Sequence, residues 1–344
     1  MPVDLILLCG FLGSGKTSLI MDYLRQDTGG DTGVVINEVG EVSIDGTIVA
    51  NDRSGIPVTV MPNGCLCCSL RSSVVDTLMA LLTAPRAAGA APIQRIIVEA
   101  NGLASPGPVI ASLAAPELIA MGVRVMVVST YDCASGLPDA DTFEDAAAQL
   151  AAARRVVFTK IDRADMAGLA HHRRIVTGIN PFAEILVDED RTRQVRAAFG
   201  SMRPGDPVKE AADALCALGR QGLAHPRIHV FRGSPVQALS WDDVATWLDE
   251  VSGLCGNRLL RLKATVHVSD CDDPIWIQSV GTTFSAPRRL GSEQQCSDAF
   301  VVIARDVTLE ELRGTLGFAP IALSLSDEDA PARNGVLAQA IESV

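Results

Sequence analysis

From residue 5 to residue 158, short runs dominated by apolar residues alternate with longer stretches in which apolar positions return at helical spacing. The runs at 5–9, 33–36, 57–61, 95–98, 124–128 and 155–158 are too uniformly apolar for half-exposed strands, which alternate apolar with polar positions. They predict strands covered on both faces. The stretches at 17–25, 72–82, 109–120 and 142–153 predict helices. Together they predict an α/β domain, a mostly parallel sheet with helices on both faces. Ligands of such a sheet sit at the carboxyl ends of its strands.

The pattern loosens from Ser201 to Pro226, where Pro204, Gly205, Pro207, Gly222 and Pro226 frame one short Ala/Leu-rich helix. Beyond it, strands are expected at 227–231, 259–268, 275–280 and 299–304, and helices at 241–251 and 309–316. The expected organisation is a nucleotide-binding domain at 1–205, a linker at 206–226, a smaller α+β domain at 227–320 and a tail at 321–344. The last nineteen positions, 326–344, are acidic and then Ala-rich, which suits a loose terminal helix.

The chain has 344 residues, of which 48% are hydrophobic, so a sizeable core is available and wholesale disorder is excluded. A formal net charge of −12, with no basic run longer than two residues, argues against nucleic acid as a main partner. The apolar segment at 5–12 follows Asp4 and has no basic region before it, so it reads as a buried first strand rather than a signal peptide. It is also too short to span a bilayer. These features point to a cytoplasmic protein without a membrane partner. Nine unevenly spaced cysteines fit reduced thiols better than a disulfide framework.

Residues 10–17, Gly-Phe-Leu-Gly-Ser-Gly-Lys-Thr, fit G-x-x-x-x-G-K-[ST] between a predicted strand and a predicted helix. In that setting Gly10, Gly13, Ser14 and Gly15 let backbone N–H groups face phosphate oxygens, with Ser18 just behind them. Lys16 supplies positive charge at the β- and γ-phosphates, and the Thr17 hydroxyl ligates Mg²⁺. Glu99 ends the predicted strand at 95–98 and is the acid placed to hold Mg²⁺ with Thr17. Thr159-Lys160-Ile161-Asp162 fits [NT]-K-x-D at the end of another strand. There an aspartate accepts from the guanine N1 and exocyclic amine, and the lysine stem packs on the ring. Adenine offers no matching donors, so the acceptor would go unpaired. Asn180, at the head of Asn-Pro-Phe-Ala before the next apolar run, is expected to close over the base.

Cys65, Cys67 and Cys68 stand within four residues. Thiolates select soft or borderline metals, among them Zn²⁺, Cu⁺ and, less strongly, Co²⁺. Three ligands leave a tetrahedral ion one position short, which suits transfer better than a closed structural site. Glu38 and Glu41 are candidate neighbours. The other six cysteines read as buried thiols, and His171-His172 as a solvated helix face.

These segments together resemble the CobW family of P-loop GTPases, a class that also includes the nickel-insertion GTPases of hydrogenase and urease maturation. The matching residues are 10–17, Asn37-Glu38-Val39-Gly40-Glu41 with Ile44-Asp45, Gly64-Cys65-Leu66-Cys67-Cys68, Glu99 to Gly102 with Pro106, Thr159 to Asp162, and Asn180-Pro181. Residues 259–290, with Arg261, Lys263, Gln278 and Gly281, resemble that family's C-terminal domain. The resemblance implies GTP hydrolysis coupled to delivery of a transition metal, zinc most often or cobalt, to a client metalloprotein. It also implies that the cysteine segment links metal to nucleotide state, and the wider class often forms homodimers around nucleotide. The chain departs from the family at Val39, where Phe is frequent, and at Ala100-Asn101. It has no histidine-rich stretch.

The function expected is therefore a GTP-dependent metallochaperone. A redox-regulated GTPase switch that acts through partners without metal is the alternative. A P-loop kinase is a third reading, against which Thr159 to Asp162 argue.

Overall fold

The computed structural model describes residues 2–26, 31–37, 58–61, 71–84, 91–138, 143–201, 227–290, 298–315 and 321–325. The linker and its short helix, and the terminal helix expected after 325, lie outside them. In chain order the first sheet contains β1 (Val3–Gly10), β2 (Thr32–Asn37), β3 (Val58–Met61), β4 (Arg95–Glu99), β5 (Val123–Asp132), β6 (Arg155–Thr159) and β7 (Glu184–Leu186). Their spatial order is β3-β2-β4-β1-β5-β6-β7, and every neighbouring pair is parallel. The helices around them are α1 (Lys16–Gln26), α2 (Arg71–Thr83), α3 (Pro106–Leu113), α4 (Pro116–Ala120), α5 (Phe143–Ala152), α6 (Met166–Ile179) and α7 (Arg191–Ala198).

Strand β1 explains the apolar runs, for it is buried along its whole length. Leu5, Leu7 and Cys9 enter one core layer, under α2 to α6, while Ile6 and Leu8 enter the other, under α1 and α7. A strand covered on both faces gives nearly all its positions to apolar side chains, and the one charged residue here, Asp4, is paired with Arg124. The single helix expected at 109–120 is two helices. Pro116 opens α4 and holds Ala115 extended, at φ −61° and ψ 139°, so α3 cannot run through. Neither β7 nor α7 was anticipated. Helix α7 is short and mostly polar, and its visible signal is Asp190, whose carboxylate accepts from the Thr192 and Arg193 amides.

The second sheet is antiparallel and comprises β8 (Ile228–Pro235), β9 (Leu259–Val268), β10 (Cys271–Val280), β11 (Thr283–Phe284), β12 (Arg288–Arg289), β13 (Ala299–Arg305) and β14 (Ile321–Leu325). Its order is β11-β10-β9-β13-β8-β14, with β12 beside β10. Residues 321–325 therefore belong to this sheet, paired with β8, and not to a tail. Helices α8 (Trp241–Cys255) and α9 (Leu309–Thr315) cover one face through Trp247, Leu248, Val251 and Leu312. Ser240 and Asp243 form a reciprocal capping box at the start of α8.

The other face of this sheet rests on the first domain. Ile228, Leu260, Val301 and Ile303 share one apolar cluster with Leu5, Val98 and Leu150. Arg261 donates to the Ala151 and Ala153 carbonyls at 2.9 and 3.1 Å. The Lys263 ammonium stands 4.4 Å from the Phe182 ring centroid. Glu144, in the first turn of α5, pairs with Arg305 at 2.6 Å and Arg227 at 3.2 Å.

Candidate nucleotide-binding site

The site lies where β1, β4, β5 and β6 end, on the carboxyl edge of the parallel sheet. The backbone from β1 into α1 turns through three glycines with positive φ: Gly10 at 144°, Gly13 at 70° and Gly15 at 91°. At Gly10 a Cβ would stand 2.0 Å from Thr130 Oγ1, so no other residue fits. Ser14 is buried; its N–H and hydroxyl both donate to the Phe11 carbonyl, and its Oγ lies 2.6 Å from Thr130 Oγ1. The loop feeds directly into α1, whose N-terminal amides and dipole favour an anion. Lys16 is 8% exposed and folds back so that its ammonium donates to the Gly10 and Phe11 carbonyls at 2.8 and 3.2 Å. Ser18 is exposed on the outer side of α1.

Thr17 and Glu99 meet across the site. Register pairs Leu8 of β1 with Glu99, which brings the carboxylate beside the first turn of α1, and Thr17 Oγ1 donates to Glu99 Oε1 at 2.8 Å. A hydroxyl and a carboxylate side by side are hard oxygen donors of the type that Mg²⁺ takes, so the pair fits that ion. Cys9 lies immediately beneath the loop. Burial pushes its thiol up to about 12, against the opposing pull of the Lys16 ammonium, so it stays a thiol.

The [NT]-K-x-D segment is tied to the same loop. Thr159 Oγ1 donates to the Ser14 carbonyl at 2.8 Å and to the Tyr131 carbonyl at 3.1 Å. Lys160 adopts a left-handed conformation, φ 53° and ψ 35°, and its ammonium pairs with Asp132 at 2.6 Å. Asp132 also accepts from the Ala134 and Ser135 amides and the Ser135 hydroxyl. Its partial burial raises its pKa, yet these hydrogen bonds, Lys160's first, outweigh that and hold it below the ordinary carboxylate range. Asp162 stands exposed on the following turn, open to a ligand.

Asn180 is not part of this assembly. It lies between α6 and β7, and β7 runs parallel to β6 with Glu184 opposite Arg155. Asn180 therefore sits at the amino edge of the sheet, the edge opposite the phosphate loop. It is buried there and donates to the Leu150, Ala151 and Ala153 carbonyls, capping the end of α5. The segment that does reach the carboxyl edge beside Asp162 is 187–190, after β7. Gln194 fastens it from α7 by donating to the Phe158 and Leu186 carbonyls. His172 is only partly exposed, and its Nδ1 lies 2.9 Å from the Tyr131 hydroxyl, while His171 beside it is exposed.

Cys65, Cys67, Cys68, Glu38 and Glu41 lie outside the described residues. Among the described residues no group of three or more His, Cys, Asp or Glu side chains could hold a metal, and no helix is long and apolar enough to cross a membrane.

Sheet order, loop and strand-end acid define a P-loop nucleotide-binding domain. Residues 4–187 match the CobW/HypB/UreG nucleotide-binding domain and residues 229–318 the cobalamin synthesis protein CobW C-terminal domain, so the chain belongs to the CobW family. It is 33% identical over 173 residues to the zinc chaperone YjiA of Escherichia coli, covering 50% of this chain but only 54% of that one. With the zinc chaperone CobW of a Sinorhizobium species it shares 26% identity over 331 residues, covering 86% of this chain and 90% of that one. The crystal structure of Zn(II)-bound YjiA GTPase from E. coli superposes with a TM-score of 0.62 at 20% identity, over 92% of this chain and 98% of that one, and shares its fold.

Proposed function

We propose that this protein is a GTP-hydrolysing metallochaperone that takes a transition metal, zinc foremost and cobalt as the other candidate, at Cys65, Cys67 and Cys68 and passes it to a client protein. One observation carries this reading. Strands β2 and β3 leave the sheet at the same edge as the phosphate loop, with Asn37 opposite Met61 in register. Glu38 follows Asn37 directly and Glu41 follows it by four residues, as Cys65 follows Met61. Those four residues span at most about 14 Å, which matches the roughly 14 Å of three strand spacings between β3 and β1. The cysteines are thus within reach of the phosphates. Family membership and the relatives named zinc chaperones support the same reading. The division of the chain falls within 206–226.

In this mechanism the loop amides bind the phosphates, and the Lys16 ammonium turns from the Gly10 and Phe11 carbonyls to the β- and γ-phosphate oxygens. Thr17 and Glu99 hold Mg²⁺, which when bound offsets phosphate charge. Asp162 and Lys160 select guanine. Nucleotide binding and hydrolysis favour different arrangements of 38–45 and 65–68, so a metal that binds the two unequally is gained or released over the cycle.

The test is zinc competition binding with a GTP analogue and with GDP. The wild-type protein is expected to show affinities that differ at least about fivefold between the two nucleotides. The Cys65→Ser/Cys67→Ser/Cys68→Ser variant is expected to lose the site. A triple variant that binds zinc as tightly as wild type ends the metal half of the proposal, and a reversible disulfide in a metal-free trio replaces it with the redox-regulated switch.

A further inference from the structure

The short loop between Glu99 and helix α3, together with the first turn of that helix, touches both domains. Near its start, Gly102 lies so close to the phosphate loop that a Cβ on it would stand 2.8 Å from the Leu12 backbone nitrogen. Past its end, in the first turn of α3, the Gly107 carbonyl accepts from Thr283 Oγ1 at 3.4 Å, and a Cβ on Gly107 would stand 3.7 Å from the Val280 carbonyl oxygen. Val280 and Thr283 belong to the β10–β11 hairpin of the C-terminal sheet.

Gln149 of α5 holds the middle of this loop. Its amide nitrogen donates to the Gly102 and Ala104 carbonyls, both at 3.0 Å, and the residue is 1% exposed. Two acceptors fix which way the amide points, because the flipped orientation would set its oxygen against both carbonyls. Helix α5 is in turn gripped at both ends by the C-terminal sheet, through Glu144 with Arg305 and Arg227 and through Arg261 on the Ala151 and Ala153 carbonyls. A cavity of about 180 Å³ bordered by Phe11, Leu12, Ser129 and Gln149 leaves the leading residues of the phosphate loop room to shift.

We infer that residues 100–107 and helix α5 carry the state of the phosphate loop to the C-terminal sheet, with Gln149 as the positioning residue that locks loop and helix together. A loop pinned by two buried hydrogen bonds moves only by taking α5 with it or by leaving carbonyls unpaired, and the second course is costly in an apolar layer. Helix α5 in turn cannot shift without disturbing β9, through Arg261, and β13, through Arg305. The inference rests on the proposed nucleotide cycle.

Hydrogen exchange of the full-length protein with GDP and with a non-hydrolysable GTP analogue tests it. Wild type is expected to show an analogue-dependent change in protection in β9 and β13, remote from the phosphate loop. Gln149→Met keeps the shape and removes the donor. It is expected to retain analogue-induced protection at residues 10–17 and to reduce the β9 and β13 response at least about fivefold, the low end of site-to-site coupling. Glu144→Gln changes a half-exposed side chain that leaves the core intact, and is expected to weaken the β13 response selectively. If wild type binds no nucleotide, the functional proposal fails. If it binds and β9 and β13 do not respond, this inference is overturned. A response that survives in Gln149→Met also overturns it, and if that variant does not fold, an unchanged β13 response in Glu144→Gln does so instead.

Discussion

Thr159 donates its hydroxyl to the Ser14 carbonyl at 2.8 Å, which joins the strand end carrying the [NT]-K-x-D segment to the glycine-rich loop that opens α1. The second acceptor of the same hydroxyl is the Tyr131 carbonyl at the end of β5. Thr159→Val keeps the shape and leaves both carbonyls without this donor. GTP affinity is expected to fall about tenfold, and Thr159→Ser is expected to restore most of it. Isothermal titration of the three proteins checks this, and equal affinity in Thr159→Val would show that the link does not position the loop.

Asp162 stands at the exposed rim of the site, so its replacement tests base choice without a folding cost. Asp162→Asn is expected to weaken GTP binding at least about a hundredfold, because the amide donor now faces the guanine donors. The same donor suits the C2 oxygen of xanthine, so xanthosine triphosphate is expected to gain. A variant that still prefers GTP over the other nucleotides would remove Asp162 from the guanine site.

Two glycines give opposite expectations. At Gly102 an added methyl meets Leu12 Cδ2 at 2.5 Å and the Leu12 backbone nitrogen at 2.8 Å, so the loop after β4 must shift. Gly102→Ala is expected to lower kcat for GTP at least about tenfold and to cost about 1–3 kcal/mol of stability. Gly253 lies in α8 with nothing within 4 Å of its Cβ position. Gly253→Ala is expected to stabilise by about 0.4–1 kcal/mol. Thermal melts and steady-state hydrolysis of both variants separate the two effects.

His172 supplies a pH test. Burial, and then the neighbouring His171, push it below its ordinary value of 6.5; the Cys133 backbone and Asp132 oppose this without reversing it. Its Nδ1 faces the Tyr131 hydroxyl, and burial pushes Tyr131 upward, so the phenol stays protonated. As pH falls through 6.5 the unfolded chain takes up the proton before the folded one does. The contribution of His172 is therefore complete above that value and declines below it. Melting temperatures recorded from pH 7.5 down to about 5.5 are expected to fall less steeply for His172→Gln than for wild type. Parallel curves would show that the contact carries no linkage.

The phosphate loop was legible in the sequence because its physics is local. Gly10, Gly13 and Gly15 occupy backbone conformations that side chains resist, and Lys16 and Thr17 follow at the start of a helix, so the spacing encodes the shape. The buried strands were legible for a related reason, since cover on both faces leaves a continuous apolar run. Asn180 was misplaced because order along the chain does not state which edge of the sheet a residue reaches. The signal was present all the same: a residue between a helix and the next parallel strand must lie at the amino edge. Gln149 and Asp132 were not legible because their partners, Gly102, Ala104 and Lys160, are distant in sequence and carry no pattern at Gln149 or Asp132 themselves. Pro116 was a visible break signal that the apolar spacing of 109–120 overrode, so α3 and α4 were read as one helix, and β14 was lost to the tail because a strand of five residues on a sheet edge differs little from a loop.

The cluster that unites Ile228, Leu260, Val301 and Ile303 with Leu5, Val98 and Leu150 has a consequence for how this chain melts. The boundary between its two sheets is a section through a single interior, so denaturant should report one sigmoidal transition for the whole molecule. A fragment severed after residue 201 would present that interior to water as an adhesive surface, and its clumping would mimic a loss of nucleotide affinity.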